Sequence, residues 1–287
     1  MNEENRLTSP SYMKYIIDKY KFHTNKNLGQ NFLIDNNILD KIIITAGVSD
    51  KDTVLEIGTG IGTLTNELLK HSNRVIAVEI DKNLCPIVRE NVSELKKLTL
   101  INEDFLKTDL SSFKIDKIVA NLPYYITTPI IFKCLTLNAD KMVFLVQKEA
   151  ALRLTAKPGT KSYGSLTVAL QSVSEVKYVH SVSAACFFPK PDVDSAIIEI
   201  TRYDKIKYNI KNLKIFELVN RGAFAKRRKT ILNSLTGYSP EFTKDLVKQA
   251  LLLCKIDEKR RGETLDINEI SELSNTIFDL INGEKNE

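Results

Sequence analysis

From Thr53 onward, short β-branched runs alternate with amphipathic segments, and nothing else in the chain limits the fold as strongly. Thr53–Ile57 reads as a strand, Gly58–Gly62 as a turn and Thr63–Leu69 as a helix. Arg74–Glu79 and Leu98–Ile101 are further strands, separated by a helix over Asp81–Val92. The run Lys117–Ala120 leads into Asn121; a helix over 128–135, a strand over 141–146 and helices over 148–154 and 165–172 follow. Strands separated by helices cannot pair as hairpins. Each crossover must return over one face of the sheet, which predicts a parallel, doubly wound arrangement. Two late β-rich runs, Val176–Val182 and Val193–Thr201, are joined by a short loop and predict an antiparallel edge hairpin. Beyond about Arg202 only helical spacing remains, over 213–224, 228–235, 241–253 and 267–281. The expectation is an α/β domain over 1–206, with an N-terminal helical extension over 1–48, and a small all-helical domain over 207–287.

Open α/β sheets bind ligands outside the carboxyl ends of their strands, so the residues that end the strands are the candidates. Glu56-Ile-Gly-Thr-Gly-Ile-Gly62 follows one strand and opens a helix. A dinucleotide fingerprint would need glycine at Thr63; here the third glycine comes one place early, at Gly62. With the preceding Glu56, that spacing fits S-adenosylmethionine, whose methionyl tail lies against Gly58 and Gly60 where a pyrophosphate otherwise would. Glu79 ends the next strand, where an acid can accept from both ribose hydroxyls. Asp104 follows the third and can accept from an adenine amine, with Phe105 or Ile80 covering the ring. The fourth strand ends in Asn121-Leu122-Pro123-Tyr124. The Asn121 amide and the carbonyl of Leu122 or Pro123 can accept from a flat exocyclic amine while Tyr124 stacks on its heterocycle. Asn and Pro alone could be a strand-terminating turn. In register with the glycine loop and two acids, they read as a site.

The charge balance is +5, and its placement matters more than its size. Val219–Leu235 holds Arg221, Lys226, Arg227, Arg228 and Lys229 and no acid, and Lys157, Lys161 and Lys190 sit on loops. Such a run is ordinarily a solvated helix face, and the alternative is a surface for a large anionic partner such as a nucleic acid. Three scattered histidines and four scattered cysteines argue against a metal site, a disulfide frame or a histidine triad. Cys134 shares a helix face with Ile130 and Ile131 and is expected to be buried. No apolar run approaches a membrane span and the first residues lack the order of a secretory signal, so a cytoplasmic protein without membrane partners is expected; a monomer is the expected state.

Five motifs stand in a fixed order: Asn27–Asp35 (NLGQNFLID), the glycine loop, Asn121–Tyr124, Phe187–Ser195 (FFPKPDVDS) and Phe224–Thr230 (FAKRRKT). Together they resemble the ribosomal RNA adenine dimethyltransferase family, its small-subunit members above all, over about residues 15–280. The resemblance implies a Rossmann-like S-adenosylmethionine-dependent methyltransferase sheet with a helical RNA-binding domain. It implies that Gln30, Asn31 and Leu33 wrap the methionyl part of the cofactor, and that Glu79 and Asp104 hold ribose and adenine. Asn121 would bridge cofactor and target base, and Phe187, or else Phe188, would clamp that base opposite Tyr124. The implied partner is 16S rRNA within the small ribosomal subunit or its precursor. Two other readings are a large-subunit methyltransferase of the macrolide-resistance type and a mainly non-catalytic assembly factor. Asp192 stands where many relatives carry Lys, which makes that loop less basic here.

Overall fold

Crossovers imposed by the sequence set the order of a seven-stranded sheet. The computed structural model describes residues 7–21, 29–205 and 207–283, so Asn27 and Leu28 of the first motif lie outside the described residues. In chain order come α1 (Pro10–Tyr20), β1 (Phe32–Leu33), α2 (Asn36–Ala46), β2 (Thr53–Ile57), α3 (Thr63–His71), β3 (Arg74–Val78), α4 (Leu84–Asn91) and β4 (Leu98–Ile101). Then follow β5 (Lys117–Asn121), α5 (Thr127–Leu135), β6 (Lys141–Gln147), α6 (Lys148–Leu154), α7 (Ser165–Gln171), β7 (Ser174–Val182), β8 (Phe187–Phe188) and β9 (Ser195–Arg202). The last helices are α8 (Leu213–Ala225), α9 (Ile231–Leu235), α10 (Lys244–Leu253) and α11 (Ile267–Gly283).

The strand order is β4-β3-β2-β5-β6-β9-β7. Strands β2 to β6 run parallel and β9 lies antiparallel on β6. The order reverses between β2 and β5, which opens a crevice at their carboxyl ends. Val54, Leu55, Ile76, Ala77, Ile118, Val119 and all of Met142–Val146 are fully buried, as strands covered by helices on both faces require. Each such Leu, Ile or Val contributes roughly 1.5–3 kcal/mol by leaving water. The two late strands lie side by side at the edge of the sheet, as expected. Strand β9 sits inside β7, and the short β8 between them leaves the sheet to pair with β1.

The chain divides into two compact units, Met1–Ala151 with Lys177–Arg202, and Leu152–Val176 with Tyr203–Glu287. A single boundary at 206/207 is expected from the sequence. The segment carrying α7 falls in the second unit because Tyr163 and Val168 join a core with Phe216, Val219, Leu235 and Ile270. The helix expected over 228–235 is also shorter. Thr230 caps α9, its hydroxyl accepting from the Asn233 N–H at 3.4 Å, so Lys226–Lys229 form a loop and not a helix face. No helix among the described residues is long and apolar enough to cross a membrane.

Candidate active site

The first unit carries a cleft at the carboxyl ends of β2, β3 and β5, and the glycine loop forms its floor. Gly60 has φ +57°, and a Cβ there would lie 2.8 Å from the Phe32 ring. Only glycine lets the β1 wall close on the loop. From behind, the Asn91 side-chain N–H donates to the Ile61 carbonyl at 2.7 Å, and the Tyr12 hydroxyl donates to Asn91 Oδ1. The loop is therefore braced by α1 and α4.

Two buried acids face this cleft. Glu79 accepts from the Thr59 hydroxyl at 3.1 Å, the Gly60 N–H at 3.2 Å and the Asp81 N–H at 2.9 Å. Burial pushes its carboxyl above the usual range, and those donors pull it back. A carboxylate offers about four lone-pair sites, so acceptor capacity toward a ligand remains. Glu56 is 0% exposed and neither of its oxygens has a partner, as is also true of the buried Thr63 hydroxyl beside the same cleft. Burial lifts the Glu56 carboxyl from 4.5 to about 8; the Thr65 hydroxyl, near it but not hydrogen-bonded to it, pulls the other way, and the Glu79 charge adds to the rise. A carboxyl left unpaired in a protein interior costs free energy unless something else satisfies it.

At the far side Asp104 uses Oδ1 to accept from the Leu106 N–H at 2.9 Å, and Ile80 presents an apolar side chain that is 51% exposed. At the end of β5 the Asn121 amide nitrogen donates to the Asn31 carbonyl at 3.0 Å, which leaves Oδ1 as its acceptor. The Pro123 carbonyl accepts from the Ile126 N–H at 3.3 Å and the Thr127 hydroxyl at 3.1 Å. The ring of Tyr124 is fixed by a 2.7 Å hydrogen bond between its hydroxyl and that of Ser195, and burial raises its pKa.

Gln30, Asn31, Leu33, Glu56, Gly58, Gly60, Glu79, Ile80, Asp104, Phe105 and Asn121–Tyr124 all line this one cleft. Gln30 reaches across it, donating to Asp81 at 2.8 Å, and Leu33 is mostly core. Phe187 lies in the core and not beside the base site expected of it. Pairing of β8 with β1 sets Leu33 opposite Phe187 and turns that ring into the core beside Ile38, Leu145 and Ile197. At 2% exposure it has no face to offer a base. Phe188 points the other way, onto the cluster of Tyr12, Met13 and Phe32, and neither ring lines the cleft.

Thr59 and Tyr125 also line the cleft, and neither is among the site residues expected from the sequence. Thr59 gives no pattern signal, because its role is a hydrogen bond to an acid on the next strand. Tyr125 doubles the aromatic of the Asn121 motif; it lines the cleft and is 56% exposed. Cys134 is fully buried and burial pushes its thiol far up, as expected of a packing residue.

The basic residues fall in two places. Lys157, Lys161 and Lys226–Lys229 are exposed in the second unit, where the Arg227 guanidinium donates to the Lys161 carbonyl and the Gly159 N–H to the Glu263 carbonyl at 2.7 Å. Arg221 is partly engaged with Glu217 at 3.6 Å. Lys190 belongs to the first unit.

A family model described as ribosomal RNA adenine dimethylase matches residues 21–273. The chain is 45% identical over 281 residues to the ribosomal RNA small subunit methyltransferase A of Clostridioides difficile, covering 95% of this chain and 97% of that one. Its likeness to the protein of that name from Geobacillus thermodenitrificans is 44% over 286 residues, covering 96% and 98%. Among solved structures, a dimethyladenosine transferase from Plasmodium falciparum matches with a TM-score of 0.72 at 28% identity, over 84% of this chain and 95% of that one. The 23S rRNA methyltransferase ErmE matches with a TM-score of 0.70 at 27% identity, over 86% and 100%.

Proposed function

The chain belongs to the ribosomal RNA adenine dimethylase family, and from that premise we propose that it methylates the N6 amines of two adjacent adenosines near the 3′ end of small-subunit rRNA. The observation that carries this reading is the Asn121 amide, oriented by Asn31 so that its carbonyl oxygen is the free acceptor in the cleft that Glu56, Glu79 and Asp104 share.

The cleft fits S-adenosylmethionine. The unpartnered carboxyl of Glu56 matches an α-ammonium group, Glu79 the ribose hydroxyls, and the second oxygen of Asp104 the adenine amine. Ile80 supplies the apolar cover over that ring. When bound, the cofactor supplies an electrophilic methyl group on a sulfonium. An adenine amine is a weak nucleophile because its lone pair is delocalised, so the protein's task is to hold it in line and favour a pyramidal nitrogen. The Asn121 Oδ1 accepts a hydrogen bond from one amine N–H. Because the Pro123 carbonyl is committed to Ile126 and Thr127, the Leu122 carbonyl takes the second. Tyr124, anchored on Ser195, and the exposed Tyr125 provide the aromatic faces for a base taken out of its stack.

The exposed cations of the second unit suit structured RNA, which is recognised through phosphates, 2′-hydroxyls and shape. Replacing Arg227 and Arg228 together with Ala is expected to weaken RNA binding about tenfold or more at physiological salt and to flatten its salt dependence by roughly one to two phosphate contacts. Affinity for S-adenosylhomocysteine should stay unchanged. Equal loss of both affinities in a folded double variant would rule out this division of labour.

The reading as a whole is tested by incubating the protein with methyl-labelled cofactor and either small ribosomal subunits or naked large-subunit RNA, then digesting the RNA. Dimethyladenosine in the small-subunit digest supports the assignment. Label confined to large-subunit RNA transfers it to the macrolide-resistance type of target, and binding to subunits without transfer makes the chain an assembly factor.

A further inference from the structure

The loop that carries Asp104 is short and follows an edge strand, so on its own it has little to hold it. The structure supplies a brace from an unexpected direction. Helix α5 begins at Thr127, one short turn past the Asn121–Tyr124 motif; its Ile130 lines the cleft and, one turn on, Lys133 projects from the same face. The Lys133 ammonium donates to the Phe105 carbonyl at 2.5 Å and to the Thr108 carbonyl at 2.7 Å, and lies 4.9 Å from the centre of the Phe105 ring. Within the loop the Asp104 carbonyl accepts from the N–H groups of Lys107 and Thr108 at 2.8 and 3.0 Å, and its carboxylate caps Leu106. The turn is thus closed on itself and then fastened at both ends to one side chain of α5. Two charge-assisted hydrogen bonds and a cation–π contact on one half-buried lysine are more than packing alone requires.

We propose that Lys133 is a positioning residue for the adenine end of the cofactor. By fixing the 104–108 loop to α5 it keeps Asp104 aimed into the cleft, and it joins the cofactor's adenine site to the helix that follows the base-holding motif. This rests on the proposed use of S-adenosylmethionine. The ammonium touches no reacting atom, so its effect falls on binding and only through Asp104 and Phe105.

The test compares Lys133→Met and Lys133→Arg with the parent protein by calorimetry, using S-adenosylhomocysteine and 5′-methylthioadenosine, which keeps adenine and ribose but lacks the amino-acid tail. Thermal unfolding of each protein without ligand is recorded alongside. Lys133→Met should weaken both ligands by a similar factor of about ten, the scale of one lost charge-assisted hydrogen bond. Lys133→Arg, which still donates to both carbonyls, should recover most of that loss. A merely structural lysine would lower the unfolding temperature of Lys133→Met and leave both affinities of the folded fraction at the parent value, and that result overturns the proposal. So does a loss confined to S-adenosylhomocysteine, which would place the defect at the tail. If the parent protein binds neither ligand, the cofactor assignment itself falls and takes this inference with it; parent binding with unchanged variants sinks the inference alone.

Discussion

Asn121→Ala should lower methyl transfer to small-subunit rRNA by about two to three orders of magnitude, the scale seen when one preorganised hydrogen-bonding group is removed from a reacting centre. The physical reason is local. The amide nitrogen is spent on the Asn31 carbonyl, so the side chain cannot rotate away and its oxygen stands ready for the amine proton. Alanine removes both the acceptor and the tie to Asn31, so cofactor affinity should also fall, but only severalfold, the worth of one net hydrogen bond. Single-turnover transfer and calorimetry on the same preparation separate the two effects. Transfer that falls no further than binding does would mean Asn121 serves the cofactor pocket and not the amine.

The second large effect is a pH dependence centred on Glu56. In the folded protein burial holds this carboxyl at about 8, against 4.5 for a free glutamic acid. Between those values the folded state keeps a proton that the unfolded chain has lost. Stability of the ligand-free protein therefore falls as pH rises through that window and levels off above it, with a slope of at most about 1.4 kcal/mol per pH unit from this group. Glu79, raised in the same direction, adds to the trend. Glu56→Gln should flatten the slope and stabilise the ligand-free protein at pH 8. It should also weaken S-adenosylhomocysteine binding by tenfold or more, because an uncharged amide no longer matches an ammonium. Near pH 7 the parent protein should release close to one proton on binding, seen as a dependence of the calorimetric heat on buffer ionisation enthalpy, and Glu56→Gln none. A parent protein that binds without releasing a proton would contradict the assignment of Glu56.

These expectations divide along the same line as what the chain reveals before it folds. Asn121, Glu79 and Asp104 are legible because each ends or follows a strand, and in a parallel sheet the carboxyl ends converge whatever the details of packing. The glycine loop is legible because its spacing is contiguous. Phe187 is not, because its environment depends on pairing between β1 and β8, far apart in sequence, where a one-residue change of register exchanges it with Phe188. The placement of α7 is hidden for a similar reason: Tyr163 finds its core among helices that come much later. Arg228 and Lys229 are expected to open the helix over 228–235, yet the Thr230 cap starts it after them. Lys133 gives no signal at all, since its partners are backbone carbonyls that no residue pattern announces.

The most direct measurement is a crystal structure with S-adenosylhomocysteine bound. Adenine should lie between Ile80 and Phe105 with its amine on Asp104, the ribose on Glu79, the ammonium on Glu56, and the sulfur turned toward Asn121. A ligand found elsewhere, or one lying in the cleft with its sulfur facing away from Asn121, would contradict the claim that the donor and the target amine meet at the end of β5.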